Sequence, residues 1–466
     1  MRAARPATRQ RNRPQNDRSI GAGHHVEDKP GLAARMAAAK LLSAVVDKHA
    51  HVDGLTDGQG GNPSYLALED RDRLLVRAIL HAALRHRRTI EALIAKRLER
   101  PLPAKAQALT HLLHVGAAQI LFLDIPDSAA VDLAVSHAHA DPRTARFSGV
   151  VNGVLREIAR RKERVLPAAL AASQDAPDWF VERLEAAYGA AETAAILEAH
   201  RHEAPTDFTV RSDAALWAEK LGGIVLPTGS VRVGHLSASV PALPGFEEGG
   251  WWVQDTAASL PARLFGNVTG MRIADLCAAP GGKTAQLALA GAKVTAVEKS
   301  ASRARRLEEN LKRLGLSVEL KLADLFDLDP AEGFDAVLLD APCSSTGTIR
   351  RHPDIAWTKT PEDIAKLADL QFRMAAHAIR LVRPGGVMVF SNCSLDPLEG
   401  EAVARRLAAE VEGCVLDPII VGEAPGIDAF ITPDGYLRTT PSGLAQKEMR
   451  LSGLDGFFAA RFRRAA

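Results

Sequence analysis

Ile273-Ala-Asp-Leu-Cys-Ala-Ala-Pro-Gly-Gly-Lys-Thr284 decides how the second half of this 466-residue chain is read. It reads as a short buried strand, a tight turn of small residues and the start of a helix. Paired glycines let the backbone approach a ligand that a β-carbon would block. Such a turn brings backbone N–H groups and a helix N-terminus to one point. Val294-Thr-Ala-Val-Glu298 ends a second strand on an acid, about 20 residues on, where a carboxylate binds ribose hydroxyls in dinucleotide folds. The turn is neither G-x-G-x-x-G nor G-x-x-x-x-G-K-[ST], which argues against nicotinamide and ATP. Taken alone, Gly281-Gly282 fits a generic α/β turn equally well.

The residues that follow settle the class. Strands are expected at 271–276, 293–298, 317–322, 334–340, 386–391, near 414–418 and at 457–463. Helices are expected at 281–290, 301–314, 361–382 and 399–411. Ala336-Val-Leu-Leu339 and Val387-Met-Val-Phe390 are the apolar runs of a sheet covered on both faces. Right-handed crossovers then produce a doubly wound, Rossmann-like α/β domain over residues 261–466. Its ligand crevice is expected at the carboxyl ends of the strands.

Residues 31–165 read as an all-α domain, with helices at 33–46, 69–88, 90–98, 104–123, 128–138 and 148–162 and a polar loop at 53–64. Arg85, Arg87, Arg88, Lys96, Arg97, Arg100, Arg156, Arg160, Arg161 and Lys162 lie on it. They either follow an RNA backbone or make ordinary solvated helix faces. His137 and His139 are two apart on a helix and do not face each other, so they read as surface residues, not metal ligands. Residues 170–260 read as a small α+β linker module, with helix at 179–199 and strands at 207–211 and 231–234. There Arg211, Arg232, Trp251 and Trp252 either contact RNA or fill an interdomain core.

Composition sets the limits. Apolar residues make up 47% of the chain, enough for proper cores, and the formal net charge is only +2. Residues 1–30 carry seven Lys/Arg against three acids and read as a disordered basic arm. No apolar run approaches the ~18 residues of a membrane helix, and no secretory signal is visible. The four cysteines lack C-x-x-C spacing, so neither a disulfide framework nor a zinc site is expected. A cytoplasmic, monomeric protein with free thiols and no membrane or metal partner is the reading.

Glu298, Asp324 and Asp340 all fall at strand ends along one edge of the sheet. Each alone is an ordinary cap or loop acid, but together they suggest one shared ligand. Cys343, in Asp340-Ala-Pro-Cys-Ser-Ser-Thr-Gly347, and Cys393, in Ser391-Asn-Cys-Ser394, sit at the same edge. Neighbouring strands lie ~4.8 Å apart, so both thiols would face one cleft. A buried cysteine is usually a small hydrophobe. Two of them, each after an apolar strand and each before a serine, suggest chemistry instead. A thiolate adding to carbon 6 of cytosine makes carbon 5 enamine-like and able to attack an electrophilic methyl group. A base then removes the carbon-5 proton and the thiol leaves. A carboxyl at the N3 edge protonates or hydrogen-bonds the base.

Asp275-Leu-Cys-Ala-Ala-Pro-Gly-Gly-Lys-Thr284, Asp340-Ala-Pro-Cys-Ser-Ser-Thr-Gly347 and Ser391-Asn-Cys-Ser394 resemble the motifs of the RNA 5-methylcytosine methyltransferases of the Sun/RsmB type. With Gln254-Asp255 and Gly456-Phe-Phe-Ala459, the likeness covers about residues 170–466. Ile125-Pro-Asp-Ser-Ala-Ala-Val131 and Val150-Val-Asn-Gly-Val-Leu-Arg156 resemble the NusB-like RNA-binding domain over about 31–164. The resemblance implies a class I methyltransferase fold, S-adenosyl-L-methionine as donor and RNA, 16S rRNA rather than DNA, as substrate. It implies that Cys277, Ala278, Ala279, Pro280, Gly281, Gly282 and Lys283 wrap the donor, with Glu298 on the ribose and Asp324 on the adenine side. Asp340 would lie near methyl group and base, Cys393 would be the nucleophile, and Cys343 would assist release.

Two departures stand out. The family's Ser-Thr-Cys-Ser is Ser391-Asn-Cys-Ser394 here, and its Glu-Asn-Glu is Glu399-Gly-Glu401. Lys283 is left facing either the donor or the RNA. The competing readings are the same reaction on tRNA, a non-catalytic RNA-binding assembly factor, and an amino-group methyltransferase that leaves both thiols idle.

Overall fold

The computed structural model describes residues 29–103 and 105–466; all but the last two residues of the basic arm lie outside them. The first domain is all-α, with helices Leu32–Lys48, Asp70–Arg85, Arg87–Ala95, Gln107–Phe122, Asp127–Ala140 and Ser148–Ala172. Leu41, Leu42, Ile79, Leu80, Leu113 and Leu155 meet in its core. Gly116 permits the closest helix approach: a β-carbon there would stand 2.6 Å from Leu155 Cδ1. The expected helix at 69–88 breaks at His86, whose ring stacks on Phe122 at 3.8 Å between centroids. Two single turns, Val52–Leu55 and Pro63–Leu66, occupy the expected loop. The last helix runs on through Pro167 to Ala172.

A helical segment, Asp178–His200, follows as two helices that meet at a kink at Gly189, where φ is 76°. Its Phe180, Leu184 and Ile196 pack against Ile349, Ile355 and Leu395 of the C-terminal domain. A small antiparallel sheet then forms from Thr206–Val210, Ile224–Val225, Val231–Val233 and Trp251–Val253. For the two tryptophans the interior reading prevails over the RNA-contact reading, and Arg232 is interior as well, whereas Arg211 stays exposed. Trp251 is fully buried, edge-on to Phe208 at 4.7 Å, and Trp252 packs on Ala285 and Leu314. Arg232 is also fully buried and donates to Asp207 at 2.7 Å. Arg211 donates to Leu314 O at 2.6 Å. None of the four is arranged as a base-stacking platform.

The C-terminal domain has strands β1 Arg272–Leu276, β2 Lys293–Glu298, β3 Glu319–Leu322, β4 Phe334–Asp340, β5 Val382–Asn392, β6 Cys414–Leu416, β7 Leu437–Thr439 and β8 Phe457–Arg464. Its main helices are α1 Gly282–Leu289, α2 Ala301–Arg313, α3 Pro361–Leu381 and α4 Glu401–Glu410. The sheet order is β6-β8-β5-β4-β1-β2-β3, with β7 paired to β8. β3, β2, β1, β4 and β5 run parallel, while β8 is antiparallel to both its neighbours. Side-chain alternation divides the buried residues between two faces. Leu276, Val337, Leu339 and Phe390 pack under α3 and α4. Ile273, Ala336, Leu338 and Val389 pack under residues 257–268 and Leu287. With both faces covered, ligand access is left to the strand ends.

The helical domain docks on the segment after Cys343. Trp357 Nε1 donates to Leu84 O at 2.9 Å, and Arg85 donates to Arg350 O at 2.8 Å. The Arg87 and Arg88 guanidinium carbons lie 5.5 and 6.0 Å from the Trp357 ring centre. These three arginines are therefore interdomain contacts. Arg156, Arg160 and Arg161 remain exposed on the last helix. His137, read as a surface residue, is buried, and burial depresses its pKa to about 4; His139 is exposed. Among the described residues there is no cluster able to hold a metal ion and no helix long and apolar enough to cross a membrane.

Candidate active site

The turn after β1 begins at Cys277, whose φ of 62° reverses the chain. Ala278 N donates to Val297 O at 3.1 Å, and Arg303 and Asn310 of α2 donate to Ala279 O and Pro280 O. The turn is thus anchored to both β2 and α2. Gly281 has φ 104°, and a β-carbon there would lie 2.5 Å from Leu307 Cδ1; one on Gly282 would lie 3.2 Å from the Gln254 amide. The glycines therefore also allow a close approach between the turn and neighbouring side chains.

Two cavities meet beside this turn at Cys277 and Asp340. One, of about 500 Å³, is lined by Glu298, Asp324, Phe326, Asp340, Cys343 and Cys393, with Cys277. The other, of about 360 Å³, is lined by residues 277–283 together with Gln254, Asp275, Asn310 and Arg313. Every residue expected at the site from sequence therefore lines one or both.

The three acids differ in state. Glu298 is buried; Oε1 accepts from Ser300 N at 2.9 Å, while Oε2 has no hydrogen bond and only Arg303 nearby, at 3.5 Å. Asp324 accepts from Lys299 at 2.8 Å and from Phe326 N at 3.2 Å; the lysine does most to hold its pKa below the ordinary carboxylate value. Asp340 accepts from Lys283 Nζ at 2.8 Å and from Ser391 Oγ at 3.0 Å. Lys283 therefore faces Asp340, with its ammonium also 4.9 Å from the Phe457 ring centre.

Asp340 and Ser391 are register partners in the β4–β5 pair, so the two following loops leave the sheet side by side. Gly347 N donates back to Cys393 O at 2.9 Å, folding the first loop over the second. Cys343 Sγ and Cys393 Sγ end up 3.4 Å apart. The Cys343 thiol is pushed well above its ordinary pKa, first by its contact with Cys393 and then by burial. Cys277 faces the cavities too, but burial raises its pKa to about 12, which makes it a poor nucleophile.

Known proteins resemble both halves of the chain. The model of the 16S rRNA methyltransferase RsmB/F family matches residues 265–463, and that of the NusB family matches 32–160. A protein of Klebsiella pneumoniae named ribosomal RNA small subunit methyltransferase B is 34% identical over 455 residues, covering 93% of this chain and 98% of that one. The chain belongs to the RsmB/F methyltransferase family. A protein of the same name from Xylella fastidiosa is 36% identical over 450 residues, covering 92% and 98%. The crystal structure titled PH0851 shares the fold, with a TM-score of 0.67 at 24% identity over 93% of this chain and 98% of that one.

S-adenosylmethionine is the methyl donor of this family. The cavity suits it. Glu298 Oε2, which faces Arg303 at 3.5 Å but accepts no hydrogen bond, is a buried acceptor of the kind a ribose hydroxyl satisfies.

Family motifs hide one residue from sequence reading, Glu399. Its Oε1 accepts from Ser344 N at 2.8 Å and Gln371 Nε2 at 2.9 Å. Its Oε2 accepts from Ser394 Oγ at 2.6 Å and from Ser344 Oγ. The signal was the serine after each cysteine. The departures also have local explanations. Asn392 donates to Glu399 O at 2.8 Å and accepts from Ser394 N at 3.0 Å. A β-carbon on Gly400 would stand 2.5 Å from Arg438 Nη2, and Arg438 is itself paired with Glu401 at 2.6 Å.

Proposed function

We propose that this chain methylates carbon 5 of a cytosine in 16S rRNA through a covalent adduct between Cys393 and carbon 6 of the base. The observation that carries the reading is the 3.4 Å separation of Cys343 and Cys393 beside Asp340 in one cavity. An amino-group methyltransferase has no use for two converging thiols. A binding-only assembly factor has no use for them together with an unpartnered Glu298 acceptor.

Cys277 to Lys283 would hold the methionine side of the donor, with Glu298 on its ribose and Asp324 on its adenine side. Bound there, the donor supplies an electrophilic methyl group. Cys393, its proton lost to solvent, adds as thiolate to carbon 6, and the electron pair passes to carbon 5, which would take the methyl group as its bond to the donor sulfur breaks and leaves S-adenosylhomocysteine. Asp340, with Lys283 beside it, offers an acceptor and a donor to the N3 edge of the base. Cys343, once its own proton has passed to solvent, removes the carbon-5 proton as a thiolate, and the electrons of that bond re-form the ring double bond and expel Cys393 as thiolate.

The 16S assignment rests on the names of the relatives. The test is a transcript carrying 5-fluorocytosine, whose carbon 5 has no proton to lose, so the adduct cannot resolve. Wild type and Cys343→Ala should both become covalently attached, and Cys393→Ala should not. The reverse pattern would exchange the two roles. Bisulfite mapping of rRNA and tRNA from a deletion strain separates 16S rRNA from tRNA as substrate.

A further inference from the structure

The two cysteine loops meet at a cluster whose hydrogen-bond polarity is set from outside. Thr346 Oγ1 accepts from Leu395 N at 3.0 Å, and Ser394 Oγ accepts from Asp396 N at 3.0 Å. Ser344, Thr346 and Ser394 hydroxyls lie 3.1 to 3.3 Å from one another. Two of the three hydroxyls already accept from an amide, and Glu399 takes the protons of Ser344 and Ser394. Its two oxygens receive four donors: two N–H groups on one and two hydroxyls on the other. Only a carboxylate accepts all four, because a glutamine would turn two protons of its own toward the hydroxyls. Glu399 is buried, as are Ser344, Gln371 and Ser394.

The clamp does not hold the two loops equally. Cys393 leaves a strand already fixed by pairing of Ser391 and Asn392 with Ala459 and Phe458. Cys343 lies in a loop beyond its strand. That loop is gripped at Ser344 by Glu399, and at Pro342 O by Gln371 Nε2 at 3.0 Å, the same amide that donates to Glu399.

From this we infer that Glu399 is a positioning residue that holds the Cys343 thiol against the adduct formed on Cys393, and so governs product release. The inference rests on the covalent reading above and adds a residue to it. Removing the carboxylate frees Cys343 more than Cys393, so addition to the base survives while proton removal slows. A displacement of about 1 Å at such a step costs on the order of 100-fold in rate.

The experiment uses the full chain with an unmodified 16S transcript. Glu399→Gln should bind S-adenosylhomocysteine as wild type does and turn over on the order of 10–100-fold more slowly. It should also leave a protein–RNA adduct that persists on a denaturing gel, as Cys343→Ala does. Ser344→Ala, which keeps the backbone N–H, should move the same way by less; it decides the matter if Glu399→Gln fails to fold. Cys393→Ala in the same series separates the two claims. Prompt release in both variants, with an adduct that depends on Cys393, overturns the role of Glu399 alone. An adduct that survives Cys393→Ala overturns the covalent reading and this inference with it.

Discussion

Lys283 Nζ donates to Asp340 Oδ2 across 2.8 Å, tying the turn after β1 to the tip of β4. The ammonium is nearly enclosed, with 11% of the side chain accessible, whereas Asp340 is 30% accessible and faces the cavities. Charge-assisted hydrogen bonds of this kind contribute about 1.5–3 kcal/mol. Lys283→Met should therefore lower kcat by roughly 10–100-fold. Donor affinity should change much less, since Glu298 and Asp324 are untouched. Equal losses in kcat and donor affinity would place Lys283 on the donor instead.

Gly347 lies where the Cys343 loop crosses the end of β8. A β-carbon there would overlap Gly456 O and stand 2.7 Å from Cys393 O, both of them backbone atoms. Gly347→Ala should cost about 1–3 kcal/mol in denaturant unfolding and should separate the two thiols. Oxidative crosslinking of Cys343 to Cys393, read as the loss of two free thiols by mass, should be efficient in wild type and poor in the variant. Equal crosslinking would mean that the loop absorbs the methyl group without moving.

Asp275 is buried under the turn. Its Oδ2 accepts from Thr284 at 2.5 Å, its Oδ1 has no partner, and burial raises its pKa to about 7. An acid raised in the folded state adds stability that is whole below its unfolded pKa of about 3.9 and is lost as pH rises toward 7. Asp455 is raised to about 7 as well, so only a comparison isolates Asp275. Between pH 5 and pH 8, wild type should lose more stability than Asp275→Asn by on the order of 1 kcal/mol or more. Urea midpoints at the two pH values measure it, and parallel shifts would show that Asp275 ionises freely.

Trp357 joins the two large domains through Leu84 O, Arg87 and Arg88. Trp357→Ala should loosen the helical domain by on the order of 2–3 kcal/mol without changing donor affinity. Limited proteolysis between residues 165 and 178 should then speed up, with S-adenosylhomocysteine binding intact. Unchanged cleavage would mean that Arg85, bonded to Arg350 O, and Asp354, which accepts from Val52 N at 3.2 Å, hold the domains together without it.

Much of this molecule was legible from local pattern. β2 and β4 fall at 293–298 and 334–340, as the apolar runs indicate, and the acids and thiols sit at the edge where those strands stop. What escaped depends on partners far along the chain. Arg85 and Arg87 look like any basic helix face until Arg350 and Trp357 arrive from more than 260 residues away. Trp251 and Trp252 have the composition of a base-stacking platform but fill cores.

By itself the sequence determined the alternation of strands and helices, and with it the edge at which chemistry gathers. Periods of two and 3.6 residues are written in neighbouring side chains, and a parallel sheet opens only at its strand ends. Tertiary structure alone decided that the two sulfurs touch, that Lys283 turns to Asp340, and that Glu399 grips Ser344 from 55 residues away. Those contacts depend on where loops cross after the sheet has closed, and no local pattern encodes a crossing.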